Sequence, residues 1–185
     1  MAETINDEFL VAQFNRSEES AFESIVEQYT DDVASLANRL LGWPGDIEDI
    51  TQEVFLAAFI GLKKFRCDCS LKTWLFTITI NKCRSYKYKH LIRLRRFLKT
   101  ADKAPLSLNS GAQSELMKAE TFERVRNAIA TLPSKYREAV VLRYLQELPA
   151  DQISEILKIS KNTLHVRLNR AREHLKQELA ELMEK

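Results

Sequence analysis

Only four glycines and four prolines punctuate 185 residues, so this chain has few places where short strands could turn back on themselves. A β-sandwich needs turn signals every ~8–12 residues. Long runs of Leu, Ala, Glu, Lys and Arg with apolar residues three and four apart need them only between helices. The expected fold class is therefore all-α, and a 45% hydrophobic content over this length suffices for one core or two small ones.

From Glu18 to Leu41, Phe22, Ile25, Val26, Tyr29, Val33, Leu36, Ala37 and Leu40 recur at helical spacing and mark one buried face. Gly42-Trp43-Pro44-Gly45 ends that helix, and Asp46 is placed to cap a second one carrying Ile47, Ile50, Val54, Phe55, Ala58 and Leu62. A loop around Arg66 to Ser70 leads into a third helix, from about Leu71 to about Arg96, with Trp74, Leu75, Ile78 and Cys83 directed inward. Thr100 to Gln113 holds Pro105, Gly111 and several small polar residues without an apolar period, which reads as an interdomain linker. Beyond it, Met117 to Leu132 forms a helix, and Pro133-Ser134 opens another in which Tyr136, Ala139, Val140, Leu142 and Tyr144 pack. Pro149 begins a compact helix, Ala150 to Leu157, and Ser160 caps a long final helix from Lys161 to about Met183. Two helices about a tight turn, the second longer, make a helix-turn-helix. The architecture expected is two small helical domains joined by a flexible linker, with the helix-turn-helix in the second.

Charge divides the first half. Met1 to Ile60 carries 13 acidic and 2 basic residues, whereas Gly61 to Thr100 carries 12 basic and 1 acidic. In the second segment Lys72, Lys82, Arg84, Lys87, Lys89, Arg93, Arg95, Arg96 and Lys99 recur beside Phe65, Trp74, Phe76, Tyr86 and Tyr88. Cations hold phosphates and aromatic faces stack on bases, so this segment suits a polyanion with exposed bases. Trp74 itself reads equally as core and as a base-adjacent edge. Met1 to Leu10 is acidic and lacks a basic flank with an apolar run, and no stretch of ~18 uncharged apolar residues occurs. A cytoplasmic protein without membrane insertion is expected.

In the final helix Leu164, Leu168, Ala171, Leu175, Leu179 and Leu182 must face the core, which pushes Asn162, His165, Val166, Asn169, Arg170 and Glu173 towards solvent or a ligand. Its first half suits a major groove, where Arg can pair with guanine, Asn with adenine, and Val can touch a thymine methyl. Arg167 and Arg172 read as phosphate-holding or as paired within the domain. Cys67, Cys69 and Cys83 are an odd count, which argues against a disulfide framework, and the one-residue gap of Cys67-Asp68-Cys69 is not ordinary zinc spacing. No Ser-His-Asp arrangement, glycine-rich phosphate loop or metal triad is visible, so neither cofactor nor catalytic chemistry is expected.

These motifs, in this order, resemble the extracytoplasmic-function sigma factors of bacterial RNA polymerase over about Ala21 to Leu179. Asp46-Ile47-Glu48-Asp49-Ile50-Thr51-Gln52-Glu53-Val54-Phe55 resembles the family's acidic helix that docks on the β′ clamp helices. Thr73-Trp74-Leu75 through Ile80-Asn81-Lys82 resembles its −10 reader, and Leu132-Pro133-Ser134-Lys135-Tyr136-Arg137 with the helix-turn-helix resembles its −35 reader. The resemblance implies a region-two domain over 1–98, a linker over 99–115 and a region-four domain over 116–185. Asp46, Glu48, Asp49, Gln52, Glu53 and Phe55 would then bind core polymerase, a partner contacted through both β′ and β. A flipped −10 base would meet the loop of Phe65, Arg66, Cys67, Asp68, Cys69 and Ser70 with Trp74 and Asn81, while Lys72, Lys82 and Arg84 hold phosphates. Lys161, Asn162, Thr163, His165, Val166, Arg167, Asn169 and Arg170 would face the −35 element. Lys158 and Asn162 stand where the family commonly has glycine. An anti-sigma protein is the further partner implied. The alternatives are a helix-turn-helix regulator acting without polymerase docking and a helical interaction adaptor.

Overall fold

The computed structural model describes residues 2–16, 19–42, 47–100 and 118–183, and among these it contains eight α-helices, one π-helical turn and no strand. Helices α1 (Ala2–Asn15), α2 (Glu19–Leu41), α3 (Ile47–Leu62) and α4 (Leu71–Thr100) pack together. Helices α5 (Lys118–Thr131), α6 (Ser134–Val140), α7 (Ala150–Leu157) and α8 (Lys161–Met183) form the second group, with the π turn Val141–Leu145 continuing α6. The linker expected over 99–115 lies, from residue 101 onward, outside the described residues, as does Asp46.

Helix α2 buries the predicted face: Ile25, Tyr29, Val33, Leu36, Ala37 and Leu40 are all in the core. Helix α3 matches its stripe through Ile50, Val54, Phe55, Ala58 and Leu62. Helix α4 is wedged between α2 and α3, and its buried face is wider than the sequence suggests. Leu75 and Cys83 are buried as expected, but so are Leu71, Phe76 and Ile80, while Trp74 and Ile78 are half-buried against the core. Phe76 is therefore a core residue and not part of the cationic, ring-bearing surface on which the sequence placed it.

The N-terminal helix was not expected. Its Leu10, Val11 and Phe14 pack into the core, and Phe14 joins Phe22 and Phe59 in an aromatic cluster with ring centroids 5.0 to 5.8 Å apart. Gly42, with φ 83°, ends α2 by donating its N–H to the Asn38 carbonyl at 2.8 Å. At Gly61 a Cβ would lie 3.1 Å from the Trp74 indole, so the missing side chain lets α3 and α4 close on that ring.

In the second group α7 ends on Lys158, which takes the left-handed conformation (φ 53°, ψ 50°). Its N–H donates to Glu155 O at 3.2 Å and the Ile159 N–H to Ser154 O at 3.0 Å, the double closure of a Schellman turn. A lysine thus supplies the backbone conformation for which the family commonly uses glycine. Ser160 caps α8 by accepting the Thr163 N–H at 3.1 Å.

Because Leu75 is fully buried where α4 meets its neighbours, Leu75→Ala is expected to cost about 2–5 kcal/mol of stability in urea unfolding. Leu91→Ala, on the exposed part of the same helix, should stay within about 0.5 kcal/mol of the parent.

Candidate nucleic-acid interface

The acidic start of α3 is a surface. Glu48, Asp49, Gln52 and Glu53 are exposed, and the acids lie in the helix's first turns, where the positive end of its dipole favours negative charge. Phe55, predicted among the docking residues, is buried at 7% exposure and faces the core instead. Asp49 and Glu53 share a cleft with Tyr86, Lys89, His90 and Arg93 of α4, so the acidic face adjoins the basic one.

The loop of residues 65–70 joins α3 to α4. Its start is set by two tight turns, Lys64 N–H to Gly61 O and Phe65 N–H to Leu62 O, both 3.0 Å. Cys67 is in the left-handed region (φ 58°), and Ser70 caps α4 by accepting the Thr73 N–H at 3.2 Å. Arg66 and Asp68 are exposed; Phe65, Cys67, Cys69 and Ser70 are half-buried. Phe65 tilts over Trp74 with ring centroids 4.8 Å apart, which leaves the half-buried indole at the edge of the loop.

Each of the three cations assigned to phosphates already holds a carboxylate. Lys72 pairs with Asp32 at 2.7 Å, Lys82 with Glu53 at 3.1 Å, and Arg84 grips Glu138 with two hydrogen bonds of 2.8 and 2.6 Å. The Arg84–Glu138 fork joins the two helical groups, and the hydrogen bonds to Glu138 raise the arginine's pKa further. Asn81 is exposed one turn beyond Thr77 on the same helix.

Arg137 and Lys87, to which the sequence assigned no individual role, complete the junction. Arg137 donates to Ile129 O at 3.2 Å, Leu132 O at 3.1 Å and Leu40 O at 3.1 Å, tying the end of α5 to the end of α2. Lys87 donates to the same Leu40 carbonyl at 2.6 Å, and burial, with Arg137 beside it, lowers its pKa to about 8. The Arg39 guanidinium reaches Leu145 O. A signal for Glu138 existed: it is the one acid beside the apolar run Ala139 to Leu142.

On α8 the predicted face is only partly open. Lys161, Asn162, Thr163, His165 and Val166 are exposed, while Arg167 and Asn169 are half-buried. Lys161 pairs with Asp151 at 2.5 Å. Arg170 hydrogen-bonds the Tyr136 side chain, which lowers that phenol's pKa. Arg172 donates to Tyr144 Oη at 3.0 Å and to Asn169 at 3.4 Å. His165 and Val166 lead the helix face that remains.

All three thiols are held protonated. Burial pushes Cys83 to about 12; burial followed by the Glu155 carboxylate does the same for Cys69; burial and then Glu8 raise Cys67. Reactive thiols need the opposite shift. Among the described residues no group of three or more His, Cys, Asp and Glu side chains is arranged to hold a metal ion, and no helix is long and apolar enough to cross a membrane.

Residues 25–99 match the Sigma-70 region 2 family and residues 122–175 the Sigma-70 region 4 family. The chain is 30% identical over 183 residues to the ECF RNA polymerase sigma factor SigW of Bacillus subtilis (strain 168), covering 93% of this chain and 96% of that one. It is 32% identical over 180 residues to the ECF RNA polymerase sigma-E factor of Escherichia coli (strain K12), covering 94% of each. Among solved structures, CnrH in complex with the cytosolic domain of CnrY superposes with a TM-score of 0.69 at 26% identity, over 95% of this chain and 97% of that one. Two helical groups carrying regions 2 and 4 define a promoter-selecting subunit of RNA polymerase. The chain belongs to the extracytoplasmic-function family of sigma factors, and is not a helix-turn-helix regulator that dispenses with polymerase.

The protonated thiols should be slow to alkylate. At pH 8, alkylation of Cys83 and Cys69 is expected to be slower than that of a free cysteine by on the order of a hundredfold or more, rising as pH approaches 12. Mass-resolved iodoacetamide labelling measures it.

Proposed function

We propose that this sigma factor divides its work as its charge is divided. The exposed acids Glu48, Asp49, Gln52 and Glu53, with Asp46 before them, dock on the β′ clamp helices, and the adjoining α4 edge with the 65–70 loop reads and holds the melted −10 strand. The observation that carries this reading is the shared cleft: Asp49 and Glu53 lie against Tyr86, Lys89 and Arg93, so a polymerase bound to α3 is in place to deliver DNA to α4. The first half of α8 enters the −35 major groove, with Asn162, His165 and Val166 nearest the base edges and Arg167 and Asn169 behind them. Arg170, held by Tyr136, orients that helix or reaches a phosphate. The functional division is a region-two domain over 1–98, a linker over 99–115 and a region-four domain over 116–185. The protein works in the cytoplasm by binding energy alone, without catalytic chemistry of its own, and an anti-sigma protein covers these surfaces until a signal removes it.

The paired cations add a condition. Asp32, Glu53 and Glu138 occupy Lys72, Lys82 and Arg84, so phosphates must displace carboxylates, and the free chain binds DNA weakly. Polymerase offsets that exchange by fixing both domains at their promoter spacing.

Two variants test the division. Asp49→Lys, on an exposed site, should abolish assembly with core polymerase in native gels while leaving the helical circular dichroism unchanged; normal assembly would overturn the docking assignment. Glu138→Gln should strengthen binding of the free chain to a single-stranded −10 oligonucleotide and steepen its salt dependence by about one phosphate contact. An unchanged affinity would show that Arg84 does not reach the strand.

A further inference from the structure

Asp7 is a charged residue in a place where charges are seldom left. It lies on α1 at 3% exposure, and an ionised carboxylate is stable out of water only when its oxygens are hydrogen-bonded. Both are. Oδ1 accepts the Tyr29 hydroxyl of α2 at 2.8 Å, and Oδ2 accepts the Leu71 backbone N–H, the first residue of α4, at 2.9 Å.

The second bond reaches across 64 residues to the start of a 30-residue helix whose first turn contains no acid of its own. A helix begins with backbone N–H groups that have no partner within it. In α4 the local cap Ser70 serves Thr73, and Leu71 is served from α1. A carboxylate there also meets the positive end of the helix dipole. The anchored residue immediately follows the 65–70 loop, whose other end is fixed by the turns at Gly61 and Leu62. Asp7 therefore ties the α4 end of that loop to α1 and, through Tyr29, to α2, next to the Lys72–Asp32 pair that also joins α4 to α2. Cys67 in the same loop feels these charges: its thiol is raised by burial and then by Glu8 and Asp7.

We infer that Asp7 is a positioning residue for promoter selection: by bridging Tyr29 and the Leu71 N–H it fixes the 65–70 loop in the form that discriminates the −10 base. The inference rests on the reading that this loop contacts the base. If Asp7 merely fastened α1 to the bundle, its loss would lower stability without changing which base is preferred. As a positioning residue it alters preference in a protein that remains folded and assembles with polymerase.

The test uses holoenzyme built with Asp7→Asn, which keeps the side chain's size but removes its charge and one acceptor. Tyr29→Phe serves as a comparison, because it breaks the α2 side of the bridge and leaves the Leu71 cap. Promoters differing at single −10 positions compete in run-off transcription, with the −35 element constant. Asp7→Asn is expected to flatten the −10 base preference by about two- to tenfold, the range one lost hydrogen bond gives, while holoenzyme assembly and −35 preference stay at the parent's level. Tyr29→Phe should change it less. Cys69 gives a reading that needs no DNA: its thiol is raised by burial and by the Glu155 carboxylate and not by Asp7, so faster labelling of Cys69 in Asp7→Asn, with Cys83 unchanged, reports a loosened loop. If Asp68→Ala shifts the −10 preference and Asp7→Asn does not, the positioning role is wrong and the loop assignment stands. If neither substitution shifts it, the loop does not read the base, and both fail together.

Discussion

Everything else in this protein depends on one helix having two incompatible neighbours. Helix α4 must bury Leu71, Leu75, Phe76, Ile80 and Cys83 between α2 and α3 and at the same time carry a row of cations that cannot be buried. Each large apolar side chain taken fully from water contributes about 1.5–3 kcal/mol, enough to fix the rotation of α4 about its axis. That rotation decides which residues remain outside, and so puts Lys72 beside the loop that precedes α4 and Lys82 and Arg84 about three turns further along the same helix. Gly61 serves the same end by letting α3 approach the Trp74 ring.

The exposed cations are not left bare. Surface ion pairs contribute little stability, typically ~0–1 kcal/mol, so the carboxylates on Lys72 and Lys82 add little to the fold, and on the proposed reading they are what phosphates displace. Glu138 differs, since it is almost fully buried and pairs across the two helical groups. Together with Arg137 and Lys87, which converge on the carbonyl of Leu40, it holds the region-four helices against the region-two helices. On the proposed reading, this arrangement would give a factor with weak affinity for DNA alone and strong affinity within the holoenzyme.

Much of this was legible in the sequence because it is local. The three-and-four spacing located α2, α3 and α8, Pro149 marked the start of α7, and Ser160 marked the cap of the last helix. Three residue motifs in order carried the family resemblance that the region 2 and region 4 matches bear out. What escaped was non-local or two-sided. Helix α1 presents only a short apolar group, Leu10, Val11 and Phe14, and is held largely by what it meets. Phe76 lies one position off the expected stripe and is buried because α4 is covered from two sides. Phe55 has a motif position that suggests contact with a partner, yet its place in the α3 stripe sends it inward. Asp7 reaches Leu71 across 64 residues, Glu138 reaches Arg84 across 54 and Arg137 reaches Leu40 across 97, and no periodicity reports such pairings.

The central claim is that α4 and its loop trap a melted strand only when α3 is anchored to polymerase. Permanganate reactivity of thymines in the −10 element measures this directly, with chain and core enzyme added separately and together. Reactive thymines should appear only with both components, and should vanish when the α3 acids are reversed. Reactivity produced by the chain alone, or none with a correctly folded chain and active core enzyme, would contradict the account.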